Sequence, residues 1–416
     1  MFWYSFYSED RRRMAKRSGT IVTRGQRRFQ LFSGGRSDAG GQKMDYYDYN
    51  LLAAVILLTC FGLVMLYSVS AYSSYVNFGQ NDMYFFERQA GIAFAAFVFL
   101  LIVSRLDYHL VTRHAFLIYV IANALLVATR FVGRTINGAR RWIYIGPVSF
   151  QPAELAKLAV IIFIPTLIVK SGRKFQGFEV PAKISAFGFL TAVLTYRFTE
   201  NLSTAIIIAG ITLALIYIAH PHPEKMLMFG AVILVVGLIF VLILKNRISM
   251  DAQSTSFRIQ RIITWLNPEE TSDEGGYQVM QALYAIGSGG LFGKGLGNSA
   301  QKLGALPEAQ NDMIFSIICE ELGIVGAMIV LLLFVFVLYR LFAIAVNAPD
   351  LLGSLITIGI FAHIAIQVIL NIAVVLNVIP TTGITLPFVS YGGTSIVFLM
   401  AEMALALSIS GQIEGK

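Results

Sequence analysis

Long apolar runs separated by short polar segments fill most of the chain. They lie at residues 51–70, 89–104, 115–132, 153–170, 184–199, 202–220, 226–244, 313–340, 354–378 and 392–411. A helix needs about 20 apolar residues to cross the hydrocarbon core of a bilayer. The pattern therefore predicts an all-α polytopic membrane protein of about ten transmembrane helices, with both termini on one side because the number is even.

The longest polar stretch, residues 245–312, forms one large loop between predicted spans seven and eight. Within it, residues 277–286 have helical spacing without a breaker, which predicts a short amphipathic helix. We predict three parts of the chain: a basic disordered tail at residues 1–47, a membrane domain at 48–411 and a short tail at 412–416. The first tail is polar and basic, a composition that does not bury enough apolar surface to fold.

Composition excludes a soluble globular protein. Hydrophobic residues make up 56% of the chain and charged residues 13%, whereas soluble domains have roughly 45–50% and about 25%. Cys60 and Cys319 both fall in apolar runs and provide neither a disulfide framework nor a zinc site. The histidines are scattered, and three of them lie in or near spans without a neighbouring carboxylate, so we expect no histidine metal site.

The net charge of +8 is concentrated at the start of the chain. Residues 1–43 contain ten Lys or Arg and three acidic residues, while the other 373 residues contain 22 basic and 21 acidic side chains. A basic tail of this kind favours a cytoplasmic position next to anionic lipid, and nucleic-acid binding is not expected. Met44, directly before the first span, is an alternative start of the chain.

The distribution of Lys and Arg among the loops places both termini in the cytoplasm. Four arginines depart from this rule because they crowd into one short outer loop: Arg130, Arg134, Arg140 and Arg141. An anionic ligand outside the membrane would account for them.

The segment at residues 138–161 combines a helix start with two ionisable residues. Pro152 suits the first turn of a helix, where its missing N–H group is not needed. Glu154 and Lys157 follow at a spacing that places them on one face of that helix. Ionisable residues inside a membrane segment usually serve function. The alternative is a structural ion pair that holds this helix to a neighbour.

The end of the large loop carries a second group of candidate residues. The glycines between residues 287 and 297 allow the backbone to approach a ligand closely. Lys294 and Lys302 are candidate phosphate partners, and Glu308 and Asp312 are carboxylates at the junction with a membrane helix. Partial desolvation there raises the pKa of a carboxyl group toward that of a useful general base. Alternatively, Asp312 caps the following helix.

The third segment, residues 377–395, contains prolines and glycines that interrupt a helix between the last two spans. Broken backbone at membrane depth is tolerated where it lines a cavity. Its small hydroxyl side chains, including Ser390 and Thr394, are therefore candidates for a lined site. An ordinary hairpin loop is the alternative.

Together these segments resemble the SEDS family, the shape, elongation, division and sporulation proteins that include FtsW, RodA and SpoVE. The matching strings are RRWIYIGPVSFQPAELAKL, GYQVMQAL, GSGGLFGKGLGNSAQKLGALPEAQNDMIF, EELG and IPTTGITLPFVSYGGTS. They occur in the family's order and extend over most of the chain. Residues 199–204 depart from the family because they lack the proline and glycine of many members, and we leave them out of the candidate site.

The resemblance implies a ten-helix bundle and a peptidoglycan glycosyltransferase that polymerises lipid II at the outer face of the cytoplasmic membrane. In that reaction the 4-hydroxyl of one disaccharide attacks the anomeric carbon of another, and undecaprenyl pyrophosphate leaves. Asp312 matches the family's essential aspartate, and we expect it to act as the base or as a metal-assisted activator. A divalent cation, Mg²⁺ or Mn²⁺, is compatible with phosphate and carboxylate ligands.

The other candidate site residues follow from the charge of the leaving group. Arg140, Arg141 and Lys157 are expected to hold the pyrophosphate, with Glu154 orienting Lys157. Three further candidates, together with the two loop lysines, complete the predicted substrate site: Lys294, Lys302, Glu308, Ser390 and Thr394.

The resemblance also implies partners and a location. A class B penicillin-binding protein transpeptidase and divisome proteins are the expected partners, and the division septum is the expected place. Three alternatives remain open: a lipid II flippase, a non-catalytic scaffold, and an elongation or sporulation member of the family with the same chemistry.

Overall fold

The computed structural model describes residues 45–136, 139–146, 148–221, 261, 264–268 and 274–414. The helices within these ranges are α1 (Tyr49–Asn77), α2 (Tyr84–Val103), α3 (Tyr108–Arg113), α4 (Ala115–Val132), α5 (Pro152–Ser171), α6 (Glu179–Thr199), α7 (Leu202–Ala219), α8 (Glu274–Gly289), α9 (Ile314–Asn347), α10 (Leu351–Val375) and α11 (Gly393–Ser410). The strands are β1 (Asp45–Tyr46), β2 (Arg134–Ile136), β3 (Ala139–Ile145), β4 (Val148–Phe150) and β5 (Ile413–Glu414).

Eight of these helices are long and apolar enough to cross a membrane: α1, α2, α4, α5 with its 3₁₀ extension, α7, α9, α10 and α11. The predicted multi-pass helical fold is therefore confirmed. The predicted span at 184–199 falls in α6, which packs against α4, α5 and α7 but is not one of the eight. The predicted span at 226–244 and almost all of the basic tail lie outside the described residues, so the count of ten and the domain limits stay predictions.

Both ends of the described chain meet at one end of the bundle, as the even number of spans predicts. β1 and β5 pair in antiparallel register. Beside them the Asp48 carboxylate accepts a hydrogen bond from the Leu51 amide at 2.9 Å, which caps α1. The same carboxylate forms a salt bridge of 2.8 Å with Arg340 of α9. We call this the terminal end of the bundle, and the opposite end the site end.

A three-stranded antiparallel sheet, β2–β3–β4, lies at the site end between α4 and α5. The apolar runs did not predict it, because its strands lie in the polar, arginine-rich loop between two predicted spans. β3 contacts α4, α5 and α6. The sheet therefore holds the arginine-rich segment against the ends of three helices.

The predicted short helix in the large loop is confirmed as α8, which packs along α9. After α8 the chain turns back onto α9 at Gly323, where the helix breaks with φ 67° and ψ −171°. The break exposes the carbonyl oxygens of Glu320 and Glu321, which accept hydrogen bonds of 2.9 Å from the amides of Lys294 and Gly295. The loop therefore completes the hydrogen bonding of the broken helix.

The segment between α10 and α11 leaves the helical path, as predicted, and enters the protein. Ile384, Leu386 and Phe388 are all buried. The segment packs on Gly62 of α1, where the missing side chain allows two backbones to approach closely. We call residues 376–392 the re-entrant segment.

Substituting Gly62 by alanine should loosen the re-entrant segment. A Cβ atom there would lie 2.5 Å from the Phe388 carbonyl oxygen and 2.7 Å from the Val389 Cα atom. Because both are backbone atoms, we expect Gly62→Ala to lower the free energy of unfolding by about 1–3 kcal/mol and to reduce the melting temperature of the detergent-solubilised protein.

Gly91→Ala is the matched control, because among the described residues no atom lies within 4 Å of a Cβ atom placed there. Equal melting temperatures for the two variants would contradict the close packing at Gly62.

Candidate active site

Asp312 lies at the site end, immediately before α9. Its side chain is buried, with 9% of the residue exposed, and within the described part of the chain Oδ1 has no hydrogen-bond partner. The interpretation of Asp312 as a helix cap is wrong, because Met313 occupies the cap position and no side chain among the described residues caps α9. The carboxylate is therefore available to a ligand.

Two arginines flank this carboxylate. Arg141 comes from β3, and its Nη2 donates to the Glu200 carbonyl oxygen at 3.3 Å. Arg261 comes from the large loop, and its Nη1 donates to the Thr381 carbonyl oxygen at 3.2 Å. Both guanidinium charges act on Asp312. The site thus combines one buried carboxylate with two cations held by backbone carbonyls.

The surroundings of Asp312 shift the pKa of its carboxyl group in opposite directions. Burial raises the pKa of its carboxyl group to about 6, and the charge of Glu308 adds to the rise, whereas Arg261 and Arg141 lower it. The rise from burial is the larger effect. The group is consequently ionised at neutral pH, with a proton affinity close to that of an effective general base.

Side chains of α10 fix the backbone around Asp312. The Nδ2 atom of Asn371 donates to the Asp312 carbonyl oxygen at 2.9 Å and to the Ile384 carbonyl oxygen at 2.7 Å. The Tyr391 amide donates to the Gln310 carbonyl oxygen at 2.9 Å. The re-entrant segment and the end of the large loop are therefore joined on either side of Asp312.

The turn between α6 and α7 also reaches the site, although sequence reasoning left it out. Glu200 adopts a left-handed φ of 53°, and Asn201 caps α7 by accepting from the Thr204 amide at 3.0 Å. The helix break that proline and glycine would make is made here by these two residues. Its Glu200 carbonyl is the one that holds Arg141.

Arg140 and Arg141, both predicted to hold the pyrophosphate, have different surroundings in the structure. Neighbouring side chains on a strand point to opposite faces, so the two arginines of β3 diverge. Arg140 is exposed, and its Nη1 donates to the Arg130 carbonyl oxygen at 3.1 Å. The structure brings Arg141 to Asp312 and leaves Arg140 on the other side of the strand.

The predicted pairing of Glu154 and Lys157 on one face of α5 is confirmed, with 3.0 Å between Oε1 and Nζ. Lys157 also donates to Gln367 Oε1 at 3.0 Å, and Ser395 donates to Glu154 Oε2 at 3.2 Å. Only 2% of Lys157 is exposed. This geometry matches the structural alternative, an ion pair that joins α5 to α10 and α11, and a contact of Lys157 with substrate stays a prediction.

Lys294 and Lys302 form ion pairs with glutamates of α9, and their contact with a substrate phosphate stays a prediction. Lys294 forms a salt bridge of 2.6 Å with Glu320, and Lys302 forms one of 2.7 Å with Glu321. Both glutamates are fully buried in α9, where an unpaired charge would be strongly destabilising. The two lysines neutralise these charges and fasten the large loop to α9.

The remaining predicted residues, Glu308, Ser390 and Thr394, differ in their exposure and in their hydrogen bonds. Glu308 is exposed, adopts a φ of 54° and accepts a hydrogen bond from Asn311. The Ser390 hydroxyl accepts from the Leu386 amide at 2.8 Å and stabilises a turn of the re-entrant segment. Thr394 is buried, and its hydroxyl has no partner among the described residues. The Thr394 hydroxyl is therefore a buried polar atom that a ligand could bind.

Sequence reasoning missed Arg261 and His363. Arg261 lies in the string FRIQRIITWLNP, whose basic residues were the only available signal. His363 was interpreted as lacking a carboxylate neighbour, which is wrong, since its Nδ1 lies 2.8 Å from Glu402 of α11. The partner is far away in sequence, so no local pattern shows it.

Comparison with known proteins gives a consistent result. The model of the family described as cell cycle protein, FtsW/RodA/SpoVE, matches residues 48–414. Stage V sporulation protein E of Bacillus subtilis is 38% identical over 374 residues, covering 87% of this chain and 96% of that protein. The probable peptidoglycan glycosyltransferase FtsW of Bacillus subtilis is 33% identical over 367 residues, covering 88% of this chain and 90% of that protein.

Solved structures resemble the chain as well. The rod shape determining protein RodA of Thermus thermophilus has a TM-score of 0.62 at 25% identity, covering 89% of this chain and 98% of that chain. A chain from a structure of a peptidoglycan synthase complex, which coordinates polymerization and crosslinking, has a TM-score of 0.67 at 26% identity. The match covers 88% of this chain and 97% of that chain.

Replacing Asp312 by asparagine should stabilise the folded protein at neutral pH. Between its ordinary pKa of 3.8 and its folded pKa of about 6, the folded state binds more protons than the unfolded state, so stability falls as pH rises through that window. Two pKa units correspond to about 3 kcal/mol. We expect Asp312→Asn to raise the melting temperature at about pH 7, with the difference shrinking toward about pH 4.

Glu179→Gln is the control, because it removes a largely exposed carboxylate of α6 whose charge is not among those that act on Asp312. An Asp312→Asn variant that melts at or below the wild-type temperature at neutral pH would contradict the unfavourable burial of this charge.

Proposed function

The chain belongs to the FtsW/RodA/SpoVE family of cell cycle proteins, and from that premise we propose that it is a peptidoglycan glycosyltransferase. It polymerises lipid II into glycan strands at the outer face of the cytoplasmic membrane and releases undecaprenyl pyrophosphate. The observation that carries the proposal is the buried Asp312 carboxylate, whose Oδ1 lacks a partner among the described residues and whose charge is flanked by Arg141 and Arg261.

The reaction that this site supports is a direct displacement. The Asp312 carboxylate takes the proton from the 4-hydroxyl of the acceptor disaccharide while that oxygen forms a bond to the anomeric carbon of the donor. The bond from the anomeric carbon to the pyrophosphate oxygen breaks, and its electron pair leaves with the pyrophosphate. A positioned base of this kind contributes about 10²–10⁴-fold to the rate.

Arg141 and Arg261 stabilise the charge that develops on the leaving group. Their guanidinium groups are held by the carbonyl oxygens of Glu200 and Thr381, so they need little rearrangement during the reaction. Fixed cations in a site that excludes water act more strongly than the same charges in water. The acid–base and electrostatic parts of the reaction thus have separate residues.

The site fits a divalent cation only if protein and substrate both provide ligands to it. Within the described residues no group of three or more His, Cys, Asp or Glu side chains comes together, so a cage built from the protein alone is not formed there. Mg²⁺ commonly binds one or two carboxylates together with substrate phosphates. We propose that Asp312 and the pyrophosphate oxygens would hold Mg²⁺ or Mn²⁺, which would neutralise part of the leaving-group charge.

The proposal also includes a protein partner and a location in the cell. A class B penicillin-binding protein would crosslink the strands that this enzyme makes, and the likeness to a chain of a peptidoglycan synthase complex supports such an assembly. We assign the chain to the division septum with divisome proteins. A sporulation role is the competing assignment, since a sporulation protein is among its similar relatives.

The two neighbouring arginines of β3 provide the sharpest test of the mechanism. With purified protein and lipid II, we expect Asp312→Asn to lose at least about 100-fold in polymerisation rate and Arg141→Ala and Arg261→Ala to lose about 10–100-fold. Arg140→Ala should polymerise close to the wild-type rate, because Arg140 faces away from Asp312.

Glycan strands made by Asp312→Asn at the wild-type rate would overturn the enzyme assignment. A wild-type protein that moves lipid II across vesicle membranes without making strands would instead support the flippase alternative. Equal losses in Arg140→Ala and Arg141→Ala would contradict the division of the two arginines between opposite faces.

The cellular role is tested by location. A fluorescent fusion of the full chain should concentrate at the division septum of growing cells and should co-purify with a class B penicillin-binding protein. Signal along the side wall would favour an elongation role, and signal confined to sporulating cells would favour a sporulation role.

A further inference from the structure

A network of polar side chains lies in the interior of the bundle, beyond the residues that the mechanism uses. It contains His363 and Gln367 of α10, Glu402 of α11 and Lys157 of α5, each with at most 2% of its surface exposed. Ionisable groups in membrane helices are energetically unfavourable and are usually retained for function. His363 and Glu402 have no task in the reaction derived above.

The orientation of Gln367 determines the hydrogen bonds of the network. Its Nε2 donates to the Thr385 carbonyl oxygen at 3.0 Å, so Oε1 is the atom that faces Lys157 Nζ at 3.0 Å and His363 Nε2 at 2.8 Å. The reverse orientation would place an NH₂ group against the Lys157 ammonium, two donors facing each other. Gln367 Oε1 therefore accepts two hydrogen bonds.

This arrangement fixes the protonation of the histidine. Because Gln367 Oε1 can only accept, His363 Nε2 must carry a hydrogen. His363 Nδ1 lies 2.8 Å from Glu402 Oε2, and a hydrogen bond there needs one further proton, on the ring or on the carboxyl group. In both cases His363 and Glu402 together hold one shared proton and have no net charge.

Gln367 connects the His363–Glu402 pair to the proposed active site through hydrogen bonds. It holds Lys157 and the Thr385 carbonyl. One turn further along α10, Asn371 holds the Ile384 and Asp312 carbonyls. His363 thus sets the orientation of a side chain that supports both the re-entrant segment and the Lys157 ammonium.

We infer that His363 and Glu402 are positioning residues for the glycosyl transfer: they share one proton and, through Gln367, hold Lys157 and the wall of the Asp312 site in place. The inference rests on the proposed function and adds two residues to it. Stability alone does not explain the pair, because replacing a buried polar or ionic pair by apolar residues is often neutral or stabilising.

Three variants separate positioning from folding. The double variant His363→Leu with Glu402→Leu removes the pair without leaving a buried charge. Glu402→Gln keeps the network, because an amide NH₂ donates to His363 Nδ1 while Nε2–H still donates to Gln367. Thr357→Val is the control on α10, since the Thr357 hydroxyl bonds only within its own helix.

The measurements are melting temperature and the steady-state kinetics of lipid II polymerisation. We expect the double variant to melt near the wild-type temperature while kcat falls roughly tenfold or more with little change in KM, because a misplaced group acts on the transition state. Glu402→Gln and Thr357→Val should keep most of the wild-type kcat. A wild-type kcat in the double variant, or a Glu402→Gln variant equally impaired, would overturn the inference.

A second measurement tests the transmission itself. In a Gln367→Leu background, the joint change His363→Leu with Glu402→Leu should cause no further loss of kcat, since residues that act through one another are not additive. Additive losses would contradict transmission through Gln367. An active Asp312→Asn variant would remove the proposed function itself, whereas an inactive Asp312→Asn with a normal double variant would remove only the roles of His363 and Glu402.

Discussion

Backbone that leaves a helix inside a membrane protein must find hydrogen bonds within the protein, and this constraint shapes the site end of the bundle. Gln367 and Asn371, one turn apart on α10, donate to the carbonyls of Thr385 and Ile384 in the re-entrant segment. Asn371 donates to Asp312 as well. Asn371, one of the two side chains that satisfy the broken backbone, therefore also holds the backbone of Asp312. The same hydrogen bonds thus stabilise the fold and position the site, so a change that displaces Asp312 should also loosen the packing of the bundle.

Buried charges elsewhere in the described residues are paired. The pairs are Glu154 with Lys157, Glu320 with Lys294, Glu321 with Lys302, Asp48 with Arg340, and Glu402 with His363. Asp312 differs from them because it forms no salt bridge with another residue that the structure describes, and its Oδ1 lacks a hydrogen-bond partner there. A charge that the fold leaves partly unsatisfied lowers stability and gains a function only when a substrate supplies the missing contact. Asp312 lies beside two arginines, a position consistent with lower stability in return for substrate binding.

Local periodicity predicted what depends on a single helix or a single break. The spacing of Glu154 and Lys157 placed them on one face, and the prolines and glycines of the re-entrant segment predicted its non-helical path. Local patterns did not reveal partners that are distant in sequence. Lys294 and Lys302 are cations in a glycine-rich loop, and only the folded chain shows that they meet the glutamates of α9. Nor did the pattern separate Arg140 from Arg141, because a strand takes the place of the expected loop and turns neighbouring side chains to opposite faces.

The way in which Asp312 is held bears on how the enzyme works. The turn before α9 fixes it from one side, Asn371 from another, and the large loop that leads to it is fastened to α9 by its lysine–glutamate pairs. Arg141 and Arg261 are held by backbone carbonyls that belong to two further segments. Charges that are in place before the substrate arrives do not have to be reoriented as the leaving group becomes negative. Because these contacts come from residues away from the reacting atoms, the rate of glycosyl transfer should depend on groups in the interior of the bundle as well as on those that face the substrate.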